Sequence, residues 1–232
     1  MTGVVGRGRN QPAVIFDLDD TLFDHTTSAS NAIRTWVPTL GVTFTDNLLT
    51  KWFEIERVNF DSWLAGRLTH QGQRRGRLVD FLPVIGQPVP ATDAELDEIF
   101  AGYLDHYRQN WAAFDDARPA LEVARSNGWR IGVLTNGSTL QQHAKLTAIG
   151  LAELVDIVST SESLGFSKPA PEAYHLTCEA LGVEPADTMM IGDNLELDVL
   201  AARRAGLTAH HLDRPAGITL ALLIRRTGSA GR

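Results

Sequence analysis

Four short apolar runs stand next to, or close to, clusters of polar residues along the chain. The runs are Ala13–Phe16, Ile131–Leu134, Val155–Val158 and Thr188–Ile191. Helical patterns alternate with them over Pro119–Ser126, Leu140–Ile149, Pro171–Leu181 and Leu195–Ala205. Such runs are typical of strands buried on both faces of a parallel sheet, and their alternation with helices indicates βαβ units. We therefore expect an α/β fold with a doubly wound, Rossmann-like parallel sheet, to which Thr208–Leu212 adds a weaker fifth strand.

The stretch from residue 24 to residue 114 breaks this alternation. It contains amphipathic helical patterns and no convincing buried strand, over Ala32–Leu40, Leu48–Leu64, Gln73–Leu82 and Ala94–Asn110. We interpret 24–114 as a helical cap domain, inserted into an α/β core domain formed by 13–23 and 115–232, with 1–12 as an N-terminal tail. An insert placed directly after the first strand can act as a lid that excludes water from the active edge of the sheet.

The composition excludes several classes of partner. The chain has 232 residues, a formal charge of -7 and a pI of about 5.5. Nucleic acid polymers and anionic membranes need a basic face, so we expect neither as a partner. Cys178 is the only cysteine, which rules out an intrachain disulfide. Neither a membrane span nor a secretory signal is visible, and we expect a cytoplasmic protein.

Asp17 and Asp19 directly follow the first apolar run. Residues two apart at the end of an extended segment can project to the same side, and open α/β sheets bind ligands beyond the carboxyl ends of their strands. Two carboxylates this close repel each other, so one is expected to be ionised for attack and the other able to hold a proton. The alternative is that Asp19-Asp20-Thr21 only begins the next element, as a turn or a helix cap.

A second acidic cluster, Gly192-Asp193-Asn194 with Asp198, follows the run that ends at Ile191. Asp193 would lie at the end of that strand, and Asp198 in the first turns of the next helix. Several carboxylates in one pocket are unfavourable without a cation, and Mg²⁺ suits oxygen ligands of this kind. Helix capping by Asp193 or Asn194 is the alternative, and it is compatible with a metal role for the other residues.

Thr135-Asn136 and Lys168-Pro169 provide groups that can bind a phosphoryl oxygen. A hydroxyl, an amide and main-chain N–H groups at the start of a helix can hold phosphate, and an ammonium group supplies a fixed positive charge. An ordinary helix N-cap explains the first segment equally well, since Ser138 could supply it. A lone Lys-Pro pair is most often part of a surface loop.

The order of these motifs resembles the haloacid dehalogenase (HAD) superfamily. A strand precedes Asp-x-Asp-x-Thr (17–21), a second strand precedes Thr135-Asn136, Lys168-Pro169 follows, and a third strand precedes Gly-Asp-Asn-x-x-x-Asp (192–198). The resemblance extends from Val14 to about Leu212. A helical insert between the first and second motifs is similar to the cap of subfamily I.

The resemblance implies a catalytic role for each matching residue. Asp17 would be the nucleophile that forms an aspartyl-phosphate. Asp19 would be the general acid and then the general base that activates water. Thr135 and Lys168 would bind the phosphoryl group, and Asn136 would assist them.

The resemblance also implies a metal site and a reaction. Asp17, the main-chain carbonyl of Asp19, and Asp193 would hold Mg²⁺, and Asp198 would support these ligands. The expected enzyme is a Mg²⁺-dependent HAD-like phosphatase, a hydrolase of phosphoric monoesters. Direct attack by water on such esters is very slow, and a carboxylate nucleophile divides the reaction into two easier steps.

Other functions share part of this pattern. The dehalogenases that name the superfamily resemble the chain but lack the second aspartate of the first motif, so Asp19 argues against them. A sugar phosphomutase of the same superfamily shares all of these residues and stays an alternative. A non-catalytic phosphate-binding or regulatory protein is a further alternative, although receiver-type regulatory domains are shorter and have no helical insert of this size.

The expected partner is a small phosphorylated metabolite, such as a sugar phosphate, a nucleoside monophosphate or a phosphoglycolate-like compound. The protein is expected to be a monomer or a homodimer. Substrate choice is expected to depend on the insert, where four arginines occur close together: Arg67, Arg74, Arg75 and Arg77. One of them could contact a second anionic group of the substrate, and a solvated helix face is the alternative.

Overall fold

The computed structural model describes residues 12–228, with side chains described as far as Ile224. The predicted N-terminal tail therefore lies outside the described residues, apart from Pro12. The chain forms two compact units. Within the described residues, one unit contains 12–24 and 112–228, and the other runs from His25 to Trp111.

The first unit contains a sheet of five parallel strands. They are β1 (Ala13–Phe16), β2 (Arg130–Thr135), β3 (Ile157–Thr160), β4 (Thr188–Gly192) and β5 (Thr208–His211). The strand order is β3-β2-β1-β4-β5, so β1 is central and pairs with both β2 and β4. All four residues of β1 are buried, as expected for a strand covered on both faces. The predicted doubly wound parallel sheet is confirmed.

The second unit is helical. Its helices are α1 (His25–Trp36), α2 (Asp46–Leu64), α3 (His70–Val84) and α4 (Asp93–Gln109), with a short 3₁₀ turn over Val37–Leu40. The first helix begins at His25, earlier than the predicted Ala32. The hydrophobic pattern missed its first turns because the buried residues there, Ser28 and Ala29, are small or polar. Large aromatic side chains fill the core of this unit: Trp36, Trp52, Phe81 and Tyr103.

Arg75 and Arg77, two of the four clustered arginines noted in the sequence, form ion pairs inside the helical unit. Arg75 contacts Asp97 at 2.6 Å, and Arg77 contacts Glu56 at 2.9 Å. Arg77 is 6% exposed, and its guanidinium lies 4.5 Å from the Trp52 ring. Arg77 is thus a buried residue, and not part of a solvated helix face.

In the part of the chain that the structure describes, six further α-helices belong to the sheet-containing unit. They are α5 (Ala117–Ser126), α6 (Thr139–Ala148), α7 (Ser161–Leu164), α8 (Pro171–Leu181), α9 (Ala201–Arg204) and α10 (Leu220–Gly228). The pattern predicted as one helix over Leu195–Ala205 is a π-helical stretch, Leu195–Leu200, followed by α9. Ile15 of β1 and Met190 of β4 are buried in a core cluster that also contains Tyr174 and Leu181 of α8.

The third strand lies two residues later than its apolar run predicted. The expected strand was Val155–Val158, whereas β3 covers Ile157–Thr160. The side chain of Asp156, just before β3, accepts a hydrogen bond from the Ile131 N–H at 2.7 Å. Over residues 12–228, no helix combines the length and apolar character that crossing a membrane would need.

Candidate active site

Three neighbouring strands deliver polar residues to one edge of the sheet. Asp17 directly follows β1, Thr135 is the last residue of β2, and Asp193 directly follows β4. Because these strands are parallel and adjacent, their carboxyl ends meet at the same edge, where open α/β sheets bind ligands. Lys168 reaches this edge from the segment before α8, and Asp198 reaches it from the π-helical stretch.

Lys168 connects the first and last motifs directly. Its Nζ atom lies 2.6 Å from Oδ1 of Asp17 and 2.6 Å from Oδ1 of Asp198. Lys168 is 3% exposed and Asp198 is 1% exposed, so these charges interact away from bulk water. Burial by itself would lower the pKa of Lys168, but the charges of Asp17 and Asp198 outweigh it and raise that pKa above its usual value. The lysine is therefore a fixed cation.

Three carboxylates converge around this lysine. One oxygen each from Asp17, Asp193 and Asp198 lies within 4.8 Å of the others. Burial, followed by the charges of Asp198 and Asp193, raises the pKa of Asp17 well above its usual value. Burial, together with the charges of Asp198 and Asp20, raises the pKa of Asp193 to about 6. One lysine thus leaves negative charge unbalanced in this cluster, and a hard divalent cation bound by oxygen ligands fits both the donors and the charge.

Asp198 owes its position to two features of the chain before it. Gly192 has no side chain, and a Cβ atom at this position would lie 2.3–2.6 Å from atoms of the Asp198 side chain. The N–H of Asn194 donates to Oδ2 of Asp198 at 3.0 Å. The side chain of Asn194 caps the π-helical stretch by accepting hydrogen bonds from the next turn. Departures from regular α-helix of this type frequently occur at functional sites.

A tight loop after β1 presents the first motif. The carbonyl of Leu18 accepts hydrogen bonds from three successive N–H groups, those of Thr21, Leu22 and Phe23. Asp20 adopts a left-handed backbone conformation with φ of 57°, which Asp tolerates better than most residues. The Oγ1 of Thr21 then accepts a hydrogen bond from the N–H of Asp193 at 3.2 Å. This contact ties the first motif to the last one.

The side chain of Asn136 contacts the main chain of Lys168. Its amide group donates to the carbonyl of Lys168, and its amide oxygen accepts from the N–H of Lys168, both at 2.9 Å. Both ends of the side chain therefore bind the main chain of Lys168. In this arrangement Asn136 holds Lys168 in place, and its contact with a phosphoryl group stays a prediction.

Two residues at the site were not predicted from the sequence. Lys145 and Gln142 of α6 contact the two carboxylate oxygens of Asp19, at 2.5 Å and 3.0 Å respectively. Both side chains are buried. Their spacing of three residues places them on one face of a helix, which was the available signal, but polar residues at this spacing usually belong to a solvated face.

Comparison with known proteins assigns the chain to a family. Residues 12–206 match the family described as haloacid dehalogenase-like hydrolase. The chain belongs to the haloacid dehalogenase-like hydrolase family. This HAD-like hydrolase is 34% identical over 224 residues to Phosphatase MT3486 of Mycobacterium tuberculosis, with 94% of each chain covered. It is 29% identical to the ribulose-1,5-bisphosphate 5-phosphatase of Halopiger xanaduensis, covering 84% of this chain and 82% of the relative.

Solved structures show the same fold. The HAD-hydrolase YfnB of Bacillus subtilis, whose crystal structure was determined with bound magnesium, aligns with a TM-score of 0.78. The alignment covers 88% of this HAD-like hydrolase and 90% of YfnB, at 20% sequence identity. At that level of identity the likeness concerns the fold.

Proposed function

We propose that this HAD-like hydrolase is a phosphatase that hydrolyses the phosphate monoester of a small metabolite through an aspartyl-phosphate on Asp17. The observation that carries the proposal is the bridge from Lys168 to Asp17 and Asp198, at 2.6 Å each, beside Asp193 at the carboxyl edge of the sheet. The names of the two relatives, both phosphatases, agree with it.

The first step transfers the phosphoryl group to the protein. A carboxylate oxygen of Asp17 attacks phosphorus, the P–O bond to the leaving group breaks, and Asp19 donates a proton to the departing oxygen. General acid assistance of this kind typically contributes ~10²–10⁴-fold. Asp19 suits the role because its side chain is 31% exposed at the site, whereas Asp17 is nearly buried.

The second step returns Asp17 to its starting state. A water molecule attacks phosphorus, Asp19 accepts a proton from that water, and the bond between phosphorus and the Asp17 oxygen breaks. The products are inorganic phosphate and the ionised Asp17 carboxylate. The proton that Asp19 gave up in the first step is thereby replaced.

The remaining residues balance the charge of the phosphoryl group. The ammonium of Lys168 and the hydroxyl of Thr135 would interact with its oxygens. Asp17, the main-chain carbonyl of Asp19, and Asp193 would hold Mg²⁺, and Asp198 would fix the position of Lys168 beside them. When bound, Mg²⁺ offsets negative charge on the phosphoryl oxygens during transfer.

The substrate class is a small phosphorylated metabolite. The Halopiger relative is named for a sugar bisphosphate, which places sugar phosphates first in a panel of candidates. Nucleoside monophosphates and phosphoglycolate belong in the same panel. The panel should be run with magnesium and with EDTA, measuring inorganic phosphate.

Replacing the nucleophile tests the chemistry. Asp17→Asn should abolish phosphate release from p-nitrophenyl phosphate while circular dichroism and thermal unfolding show a folded protein. The exposed Asp187→Asn makes the same chemical change in the same unit and should retain normal rates. Turnover by Asp17→Asn near the normal rate would refute the nucleophile assignment. Interconversion of sugar phosphate isomers that depends on an added bisphosphate would identify a mutase and refute the phosphatase proposal.

A further inference from the structure

The helix after the second motif carries two buried polar side chains that the proposed mechanism does not yet use. Gln142 is 2% exposed and Lys145 is 3% exposed. Both lie on α6, three residues apart, and therefore on one face of the helix. Lysine is among the residues least often buried unless its charge is paired. Two such residues at the edge of the proposed active site therefore call for a physical reason.

Both residues contact the carboxylate of Asp19. Lys145 contacts Oδ1 at 2.5 Å, and the amide nitrogen of Gln142 donates to Oδ2 at 3.0 Å. The donors approach different oxygens, so the carboxylate cannot rotate without breaking one of the contacts. The ammonium of Lys145 also lies 4.7 Å from the ring centroid of Phe23, which restricts the lysine side chain.

Gln142 also contacts Thr135, the proposed phosphate-binding residue at the end of β2. Its Nε2 atom lies 2.6 Å from Oγ1 of Thr135 as well as 3.0 Å from Oδ2 of Asp19. An amide nitrogen carries two hydrogens, one for each acceptor. Because the Thr135 oxygen accepts this hydrogen bond, the hydrogen of its own hydroxyl can be donated to a different acceptor, such as a phosphoryl oxygen.

The backbone of the second motif is shaped to admit Gln142. A Cβ atom on Gly137 would lie 3.0–3.1 Å from three atoms of the Gln142 side chain. This distance is shorter than ordinary van der Waals contact, so a larger residue at 137 would push the glutamine aside. Gly137 thus leaves the space that the Gln142 side chain occupies.

We infer that Gln142 and Lys145 are positioning residues that set the orientation of the Asp19 carboxylate, and that Gln142 couples this orientation to that of the Thr135 hydroxyl. This inference rests on the proposed phosphatase function. It assigns to α6 the task of aligning the proton donor with the leaving-group oxygen in the first step and with water in the second. A proton donor that is out of line loses much of its effect, because proton transfer requires hydrogen-bond reach.

A series of aryl and alkyl phosphates tests the role of Lys145. A leaving group that is stable as an anion, as in dinitrophenyl phosphate, needs little help from an acid, whereas an alkoxide depends on it. Lys145→Met should therefore lower kcat/KM for an alkyl phosphate by ~10-fold or more, while kcat/KM for dinitrophenyl phosphate stays within ~3-fold of the original. With dinitrophenyl phosphate, kcat should fall and a burst of dinitrophenol should appear, because hydrolysis of the aspartyl-phosphate still needs the base.

A double-mutant cycle separates positioning from a general structural role. In an Asp19→Asn background, Lys145→Met should change the dependence on the leaving group no further, since the group that it positions is already lost. Lys51→Met applies the same substitution to a half-exposed lysine that pairs with Glu54 and should leave all rates unchanged. An equal loss for every substrate, or a full additive loss in the double variant, would overturn the role of Lys145.

Gln142→Leu tests the coupling to Thr135 and provides a second route if Lys145→Met does not fold. It should show the same leaving-group dependence and, in addition, weaken inhibition by inorganic phosphate by ~3-fold or more, since the Thr135 hydroxyl loses its orientation. Unchanged phosphate inhibition would refute the coupling. If the unmodified protein released no phosphate, or Asp17→Asn stayed active, the proposed function itself would fail, and this outcome is distinct from a failure of the α6 variants alone.

Discussion

The ammonium nitrogen of Lys168 lies 2.6 Å from Oδ1 of Asp17, although 151 residues separate the two in the chain. Both groups are buried, and each would be unfavourable there without the other. The same nitrogen contacts Asp198, so one cation balances two carboxylates. The predictions below follow from this charge arrangement and from the packing that holds it.

Lys168→Met should lower kcat/KM for p-nitrophenyl phosphate by ~10²–10³-fold, because a fixed positive charge beside the phosphoryl group is lost. The metal-free protein should also become less stable by up to ~3–5 kcal/mol, since two buried carboxylates lose their partner. Steady-state kinetics and urea unfolding measure the two effects. Lys168→Arg should not restore the rate, because a planar guanidinium does not fit a site built for a compact ammonium. A near-normal rate for Lys168→Met would contradict the charge role.

Asp193→Asn should change how stability depends on pH in the absence of divalent metal. The pKa of Asp193 in the folded protein is raised to about 6, above its value in the unfolded chain, so the folded state binds this proton more tightly. The stability due to this proton is fully present below pH ~4 and is lost as the pH rises through about 6. Between pH 5 and pH 7.5, the asparagine variant should therefore gain ~1–2 kcal/mol relative to the unmodified protein.

Chemical unfolding in EDTA at several pH values measures this difference. Asp187→Asn, at an exposed position, should run parallel to the unmodified protein over the same range. If the plots of unfolding free energy against pH were also parallel for Asp193→Asn and the unmodified protein, the pKa of Asp193 would not be raised in the folded state.

Magnesium should raise the melting temperature of the protein, because the three carboxylates of Asp17, Asp193 and Asp198 offer oxygen ligands within 4.8 Å of one another. A ligand that binds only the folded state stabilises it by ~2.7 kcal/mol at a concentration of 100 times its Kd. Scanning fluorimetry with MgCl₂ at constant ionic strength measures the shift, and EDTA should reverse it. Asp193→Asn should reduce the magnesium-induced rise in melting temperature, and an equal rise in that variant would argue against this residue as a ligand.

Gly192→Ala should displace Asp198 and lower both activity and stability, because the added Cβ would lie 2.3–2.6 Å from the Asp198 side chain. We expect a loss of ~1–3 kcal/mol, as is typical of overpacking, and a large fall in kcat/KM. Thermal unfolding and the p-nitrophenyl phosphate assay measure these effects. Gly102→Ala is the matched control, since Gly102 lies within α4 and an added Cβ would lie 3.5 Å from a Trp36 nitrogen, an ordinary van der Waals distance. This variant should be neutral or stabilising by up to ~1 kcal/mol.

Much of the site could be predicted because strand ends are readable from apolar runs. The runs ending at Phe16, Leu134 and Ile191 identified the three strands at whose carboxyl ends the site residues appear: Asp17, Thr135 and Asp193. Parallel neighbouring strands bring such residues to one edge whatever the details of packing. The strand boundaries were less readable. The apolar run predicted a strand from Val155, whereas β3 begins at Ile157 and the Asp156 carboxylate accepts a hydrogen bond from the Ile131 N–H of β2, a contact that no local pattern encodes.

The chain by itself determined which residue types reach the edge of the sheet, since the period of its apolar residues dictates strands and helices. Only the tertiary structure decided how those side chains pair. Lys145 meets Asp19 across 126 residues, and Asn136 turns toward the main chain of Lys168. These pairings depend on how far α6 and the loop before α8 are rotated against the sheet. That rotation is set by the packing of many distant side chains, so no short stretch of sequence contains it.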